Sequence, residues 1–412
     1  MHTRLSDQAR QLPRAEEAES ILRACVHCGF CNATCPTYQL TGNELDGPRG
    51  RIYLMKNMLE GGAAGPGIQQ HLDACLSCRN CETTCPSGVN YHALLDIARP
   101  EVEKQVPRAV HQRLLRFGLR QLMPRPRLFA TLLRLGRWLR PLTPPALRKN
   151  IPARIEAAGP RPISRHARHM VMLEGCVQPA LSPNTNAATA RVLDRLGISL
   201  TTRPEVGCCG AVDYHLDAQH TALQRARRNI DAWCAALDDG AEALLITASG
   251  CGSFIKEYGH LLRDDPLYAA KAQRVSEHTR DLAEILAAEN LDALAIDPQA
   301  ASSLAFHCPC TLQHGQQLPD VAEGVLRRLG FDLTPVPDSH LCCGSAGTYS
   351  ITQPTMARQL RDNKLDALES GGALRIATAN IGCQMHLNSA GRTPVSHWIE
   401  LVDQALPQAS RQ

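Results

Sequence analysis

Cys25-Val26-His27-Cys28-Gly29-Phe30-Cys31-Asn32-Ala33-Thr34-Cys35-Pro36 recurs fifty positions later as Cys75-Leu76-Ser77-Cys78-Arg79-Asn80-Cys81-Glu82-Thr83-Thr84-Cys85-Pro86. Both runs read C-x2-C-x2-C-x3-C-P. Three thiolates on one tight loop can reach three iron corners of one cube. The fourth, just before proline, sits beyond the turn and points at the partner cluster. The spacing therefore assigns one 4Fe–4S cluster (cluster I) to Cys25, Cys28, Cys31 and Cys85, and a second (cluster II) to Cys75, Cys78, Cys81 and Cys35. Soft thiolates suit zinc as well as iron–sulfur sites, but structural zinc needs four thiolates in two pairs, not two runs of four.

Working outward, the chain has 412 residues, enough for two or three domains with their own cores, and 18 cysteines. A disulfide framework of that density suits short secreted chains. The chain opens on MHTRLSDQAR, without an apolar signal region. It also lacks an uncharged apolar run near the ~20 residues of a membrane span. The expectation is a cytoplasmic protein whose cysteines bind metal. A net charge of +4 makes no case for nucleic acid.

Between Cys35 and Cys75 lie 39 residues, including the helical stretch Gly50-Arg51-Ile52-Tyr53-Leu54-Met55-Lys56-Asn57-Met58-Leu59-Glu60, with Asp46-Gly47-Pro48 as the turn that starts it. A compact bacterial ferredoxin would use short strands there. The long helical link instead resembles the α-helical ferredoxin domain of respiratory dehydrogenases. Arg49 and Arg51 either offset cluster charge or are solvated. Residues 108–149 then hold eleven Arg or Lys and no Asp or Glu, mixed with Leu, Phe and Trp at helical spacing and broken at Pro124 and Pro126. Such a bridge could lie on an anionic membrane surface, dock an acidic partner, or pack on its own protein with its arginines solvated.

The C-terminal zone repeats itself. Val192-Leu193-Asp194-Arg195-Leu196-Gly197-Ile198-Ser199-Leu200-Thr201 matches Val325-Leu326-Arg327-Arg328-Leu329-Gly330-Phe331-Asp332-Leu333-Thr334 at seven of ten positions. Around each copy an apolar run ends at a cysteine (Cys176, Cys310), and a Cys-Cys-Gly follows (Cys208-Cys209-Gly210, Cys342-Cys343-Gly344). A second apolar run then ends at another cysteine (Cys251, Cys383). The gap from the lone cysteine to the pair is 32 positions in both halves. Each half reads as alternating strand and helix, with cysteines just after strands, where α/β sheets place ligands. Cys234, in a helical pattern, reads as an apolar core residue.

The duplicated Cys…Cys-Cys-Gly…Cys pattern resembles the cysteine-rich domain family of heterodisulfide reductases. Joined to a double-cluster ferredoxin, it resembles the iron–sulfur subunits of glycolate oxidase, anaerobic glycerol-3-phosphate dehydrogenase and lactate-utilisation systems. The segments Phe306-His307-Cys308-Pro309-Cys310-Thr311-Leu312-Gln313-His314 and Asn380-Ile381-Gly382-Cys383-Gln384-Met385-His386-Leu387 point most toward glycolate oxidase. The fold class expected is α+β multidomain: an α-helical ferredoxin domain (1–100), a basic helical linker (101–168) and two α/β cysteine-rich CCG modules (169–295 and 296–412).

The resemblance implies an electron-transfer subunit working with FAD-containing dehydrogenase subunits that oxidise a 2-hydroxy acid, glycolate, and a quinone or other carrier as acceptor. The cytoplasmic membrane face is the expected location if the bridge meets lipid. The alternatives are a lactate-utilisation or glycerol-3-phosphate dehydrogenase subunit, or a heterodisulfide-reductase-like catalytic subunit. The fullest family pattern ends each half in C-x-x-C. Here Phe254 and His386 stand at the second position, so each half lacks one sulfur. Additional clusters would use Cys176, Cys208, Cys209 and Cys251, and Cys310, Cys342, Cys343 and Cys383, with Cys308 or His386 in reserve. His307 and His314 could tune such a cluster by hydrogen bonding. No G-x-G-x-x-G follows a strand and no catalytic nucleophile motif stands out, so no flavin and no catalytic side chain are expected in this chain.

Overall fold

Proline and glycine set the helix starts of the cysteine-rich region. Its helices are α1 (Ala15–Ala24), α2 (Phe30–Ala33), α3 (Pro36–Thr41), α4 (Pro48–Leu59), α5 (Pro66–Asp73), α6 (Asn80–Thr83) and α7 (Tyr91–Gln105). Pro36, Pro48 and Pro66 each take the first helical position, where a missing N–H costs nothing. In each cysteine motif two residues at matching positions turn left-handed: His27 and Gly29 (φ +58° and +89°), Ser77 and Arg79 (φ +51° and +61°). Those turns fold the loop back and launch α2 and α6. The link between the motifs is helical, as its sequence indicates, with α4 beginning two residues before Gly50. Leu22, Met55, Leu72, Leu94, Leu95 and Ala98 form the fully buried heart of this region.

The computed structural model describes residues 1–144, 148, 151–152, 154–297 and 303–407. The chain divides into two units, one of Met1–Arg116 with His340–Leu360, the other of Phe117–Ser339 with Arg361–Gln412. Within the first unit the segment 340–360 is tied to the motifs directly. The Tyr349 hydroxyl donates to the Ala74 carbonyl at 3.1 Å, and Asn80 Nδ2 donates to the carbonyls of Thr34 (3.0 Å) and His340 (3.1 Å).

The basic bridge forms α8 (Val110–Leu122) and α9 (Pro126–Trp138), separated where Pro124 and Pro126 interrupt the pattern. Lys149 lies outside the described residues. Beyond it the second unit holds two parallel sheets. The first has order β2-β1-β3-β4, from β1 (Arg168–Leu173), β2 (Ile198–Thr201), β3 (Leu244–Ile246) and β4 (Thr279–Asp281). Its register pairs Met170 with Leu200 and Leu173 with Ile246. The second has order β5-β6-β7, from β5 (Ala305–His307), β6 (Ile376–Thr378) and β7 (Val395–His397), pairing Phe306 with Ala377 and Ala377 with Ser396. Strands β3 and β6 are buried throughout, as parallel strands covered on both faces must be.

The duplication read from the sequence is thus two α/β modules, β1-β3-β4 answering to β5-β6-β7. The second counterpart of β2 shrinks to a single bridge, Leu304 with Leu333. The modules pack reciprocally: helix Asn184–Arg195 meets Trp398–Gln404, and helix Leu282–Ala288 meets Val321–Arg328. Each contact pairs the helix before the Cys-Cys-Gly of one module with the last α-helix of the other, the pattern of a pseudo-two-fold. Met172, Leu193, Leu286, Leu326 and Trp398 share that core. Polar pins cross it as well. His397 Nε2 donates to the Thr247 carbonyl at 2.9 Å, Ser182 donates to Glu400 at 2.7 Å, and Thr185 also donates to Glu400.

Candidate metal centres

The fold brings the eight N-terminal thiols, none of them in a disulfide, around two recesses. One, of about 420 Å³, is lined by Cys25, Cys28, Cys31, Cys81 and Cys85. The other, of about 400 Å³, is lined by Cys35, Cys75, Cys78 and Cys81. Burial, then the neighbouring charges of Cys25, Cys85 and Cys28, push the Cys31 thiol up to about 11. Burial likewise raises Cys81, followed by Cys78, Glu82, Cys75 and Cys35. Crowded thiolates repel one another until a cation is shared among them. Such a set of soft donors fits iron–sulfur ligation.

The two recesses differ in their surroundings. Around the first, Arg49 lies across Gly29, where an added Cβ would stand 2.6 Å from Arg49 Nη1, and it is half-exposed and paired with Glu44 at 2.6 Å. Around the second, Arg51 is 1% exposed. Its Nε donates to the His71 carbonyl at 2.8 Å, and its two Nη atoms donate to Thr37 Oγ1 at 3.2 and 3.1 Å. Thr37 Oγ1 stands 3.2 Å from Cys35 Sγ. Arg99 Nη2 donates to the carbonyls of Leu72 (2.7 Å) and Cys75 (3.3 Å). Burial opposes ionisation of Cys75, yet Arg51 and Arg99 outweigh it and hold this thiol below its usual range. The Tyr91 hydroxyl, buried beside Cys75, adds to that stabilisation. Of these neighbours the sequence singles out only Arg51. Thr37, Tyr91 and Arg99 carry no spacing signal and are brought in by α3 and α7.

The first cysteine-rich module gathers four sulfurs at the carboxyl ends of its strands. Cys176 follows β1, Cys208 and Cys209 follow β2, and Cys251 lies in the first turn of helix Ser249–Lys256 after β3. Cys209 Sγ is 3.5 Å from Cys251 Sγ. A hydrogen bond with Cys208 raises Cys176, and those with Cys176 and Cys209 lower Cys208, so these thiols titrate as one coupled group. The Gly210 N–H also points at Cys208 Sγ, 3.5 Å away. Gly210 has φ +96°, and a Cβ there would stand 2.9 Å from the Ala222 carbonyl. Asn229 clamps the turn: its Nδ2 donates to the Cys208 carbonyl at 3.1 Å and its Oδ1 accepts from Gly207 at 2.9 Å. The Tyr258 hydroxyl donates to the Cys209 carbonyl at 2.5 Å. Phe254, at the missing-sulfur position, is buried against Tyr214, Tyr258 and His215, with ring centroids 5.2, 5.7 and 5.9 Å away.

In the second module Cys310 follows β5, and Cys383 lies in the first turn of helix Ile381–Asn388, whose Gly382 N–H is capped by Asn380 Oδ1 at 2.8 Å. Cys342 and Cys343 belong to the other unit. There the Gly344 N–H meets Cys342 Sγ at 3.4 Å, the counterpart of the Gly210 contact. Cys308 is buried, and burial pushes its thiol up. His307 Nδ1 is 2.9 Å from Thr378 Oγ1, and burial, then the charges of Lys364 and His386, lower it to about 3, so it is neutral. His314 is buried as well. Cys234 is a core residue of the first module, packed in the cluster that includes Ile230 and Trp233.

Comparison with known proteins agrees with this architecture. The model of the 4Fe–4S dicluster domain matches residues 21–89, and that of the cysteine-rich CCG domain matches residues 170–256 and 304–388. The glycolate oxidase iron–sulfur subunit of Escherichia coli is 64% identical over 406 residues, covering 98% of this chain and 99% of that protein. The probable glycolate oxidase iron–sulfur subunit of Bacillus subtilis is 30% identical over 402 residues, covering 91% and 89%. Lactate utilization protein A of Bacillus licheniformis is 28% identical over 216 residues, 52% of this chain and 87% of that protein. With a dicluster domain, two CCG modules and end-to-end similarity of this kind, the chain belongs to the family of glycolate oxidase iron–sulfur subunits.

Proposed function

We propose that this chain is the electron-transfer subunit of a flavin-dependent glycolate dehydrogenase. The reading is supported by one observation above all: the eight N-terminal thiols line two recesses, Cys85 beside the cysteines of the first motif and Cys35 beside those of the second, with Cys81 lining both. In this reading Cys25, Cys28, Cys31 and Cys85 hold cluster I, and Cys75, Cys78, Cys81 and Cys35 hold cluster II. A 4Fe–4S cluster, when bound, takes up and releases one electron at a time. The protein's part is to ligate, space and electrically tune. The left-handed turns at His27, Gly29, Ser77 and Arg79 shape the two loops, and Arg51, Arg99 and Tyr91 set the charge around cluster II. Cys176, Cys208, Cys209 and Cys251 form a further four-thiol set, and Cys310, Cys342, Cys343 and Cys383 are proposed as its duplicate. Phe254, locked among aromatic rings, supplies no ligand, which weighs against a heterodisulfide-reductase-like catalytic role.

Glycolate as substrate follows from the similarity to the E. coli glycolate oxidase iron–sulfur subunit; FAD-containing partner subunits and a quinone or carrier acceptor are what the family resemblance implies. No helix among the described residues is long and apolar enough to cross a membrane. We assign membrane contact instead to α8 and α9, at the cytoplasmic face. Leu114, Phe117, Leu132, Leu135 and Trp138 are exposed there among arginines. The test is reduction of the assembled complex. Glycolate should bleach the flavin and then give reduced-cluster electron paramagnetic resonance signals from this chain, with the flavoprotein co-purifying. Clusters that stay oxidised, or a chain that purifies without a flavoprotein, would overturn the assignment.

A further inference from the structure

Reduction adds a negative charge to an iron–sulfur cluster. A cation close to its ligands and shielded from water therefore favours the reduced form, and salt screens it little. The second recess holds such a cation; beside the first, the cations are the half-exposed Arg49 and the partly exposed N-terminal ammonium, which donates to the Cys25 carbonyl at 2.6 Å. Arg51 is 1% exposed, and its two Nη atoms share Thr37 Oγ1 with Cys35 Sγ. Arg99 faces the same loop through the Cys75 carbonyl and approaches Ser77 Oγ at 3.5 Å. The opposing charges are Asp46 and Glu82. Asp46 Oδ1 stands 3.8 Å from Arg51 Nη2 and is shared with His71 Nδ1 at 2.8 Å. Glu82 accepts from the His92 N–H. By contrast Arg49, the arginine beside the first recess, is half in solvent and bound to Glu44.

We propose that Arg51 is a redox-positioning residue, raising the midpoint potential of the cluster held by Cys35, Cys75, Cys78 and Cys81 while leaving the other cluster unmoved. The structure around it supports a charge effect beyond packing. Burial works against the Arg51 charge, and what restores it is first Cys75, then Tyr91 and Cys35, with Asp46 behind them. Thr37 fixes the guanidinium beside the sulfur: its hydroxyl oxygen accepts from both Nη atoms, donates to the Asp46 carbonyl at 2.7 Å and stands 3.2 Å from Cys35 Sγ.

This inference rests on the cluster assignment above, and the experiment separates the two. The full-length chain is purified anaerobically as wild type, Arg51→Gln, Arg51→Lys and Asp46→Asn, and both clusters are followed by electron paramagnetic resonance during redox titration. Two signals with wild-type iron content establish the assignment independently of any midpoint. Arg51→Gln should then make reduction of cluster II at least tenfold less favourable, a fall of about 59 mV for one electron. Cluster I should stay unchanged, and Arg51→Lys should recover most of the shift. Asp46→Asn should move cluster II the opposite way. Unshifted midpoints in Arg51→Gln, or equal shifts of both clusters, would overturn the proposal. If Arg51→Gln fails to assemble cluster II, Asp46→Asn decides alone: a rise upholds the charge effect and no change refutes it.

Discussion

Gly210 and Gly344 end the two Cys-Cys-Gly turns at φ +96° and +85°, with space for hydrogen only: a Cβ would stand 2.9 Å from the Ala222 carbonyl and 2.6 Å from that of Ala357. Strain of this kind costs about 1–3 kcal/mol. Gly210→Ala should therefore lower stability by about that amount in denaturant unfolding. Gly207→Ala, where an added Cβ has nothing within 4 Å, should be neutral. Equal midpoints for the two variants would refute the turn's role. Cys85→Ser should abolish the resonance of the cluster shared with Cys25, Cys28 and Cys31 and leave the other intact; loss of the other signal instead would break the crossed assignment. The thiols themselves were legible because ligand spacing is a local property of the chain. Thr37, Tyr91 and Arg99 were not, because they are brought to the second cysteine loop by α3 and α7, and no periodicity links them to a cysteine.

At the scale of elements, the strands ending at cysteines were legible as apolar runs, since parallel strands buried on both faces are continuous in hydrophobicity. Strands β4 and β7 were not. Thr279-Arg280-Asp281 and Val395-Ser396-His397 are three residues each and mostly polar, and the side chains that end them serve as helix caps: Asp281 accepts from Ala283 and His397 from Ile399. His397 also pins the second module to the end of β3. Burial lowers it to about 4, so the folded protein holds it neutral while the unfolded chain protonates it near its ordinary value. The sign follows: its contribution is fully present above about 6.5 and is lost as pH falls from there toward 4. The swing is on the order of 3 kcal/mol. His397→Ala should be less stable at neutral pH and show a flatter acid limb in thermal unfolding between pH 5 and 7; an unchanged limb would contradict the burial argument. Helices α8 and α9 were legible as basic and amphipathic, and their exposed Leu, Phe and Trp side chains turn that pattern into a surface. The chain should co-sediment with phosphatidylglycerol vesicles, with binding at least about tenfold weaker to phosphatidylcholine or in high salt. Leu132→Asp with Leu135→Asp should abolish it. Salt-insensitive or absent binding would reassign the face to a protein partner.

Over the whole molecule, the duplication could be read because Val192–Thr201 and Val325–Thr334 keep the same residues around the same turn. That residues 340–360 join the unit of the N-terminal motifs could not, since it depends on hydrogen bonds spanning some 260 to 275 positions, from Asn80 to His340 and from Tyr349 to Ala74. The second Cys-Cys-Gly is thereby placed in the same unit as the eight N-terminal thiols, while the first, with Cys176 and Cys251, stays in the other. What unites both units is sulfur chemistry, so iron and acid-labile sulfide per chain, measured on the anaerobically purified protein, bear most directly on the account. About eight of each are predicted from the two N-terminal sets, rising to about twelve if the four thiols of the first module also load. Zinc in place of iron, with almost no sulfide, would contradict it.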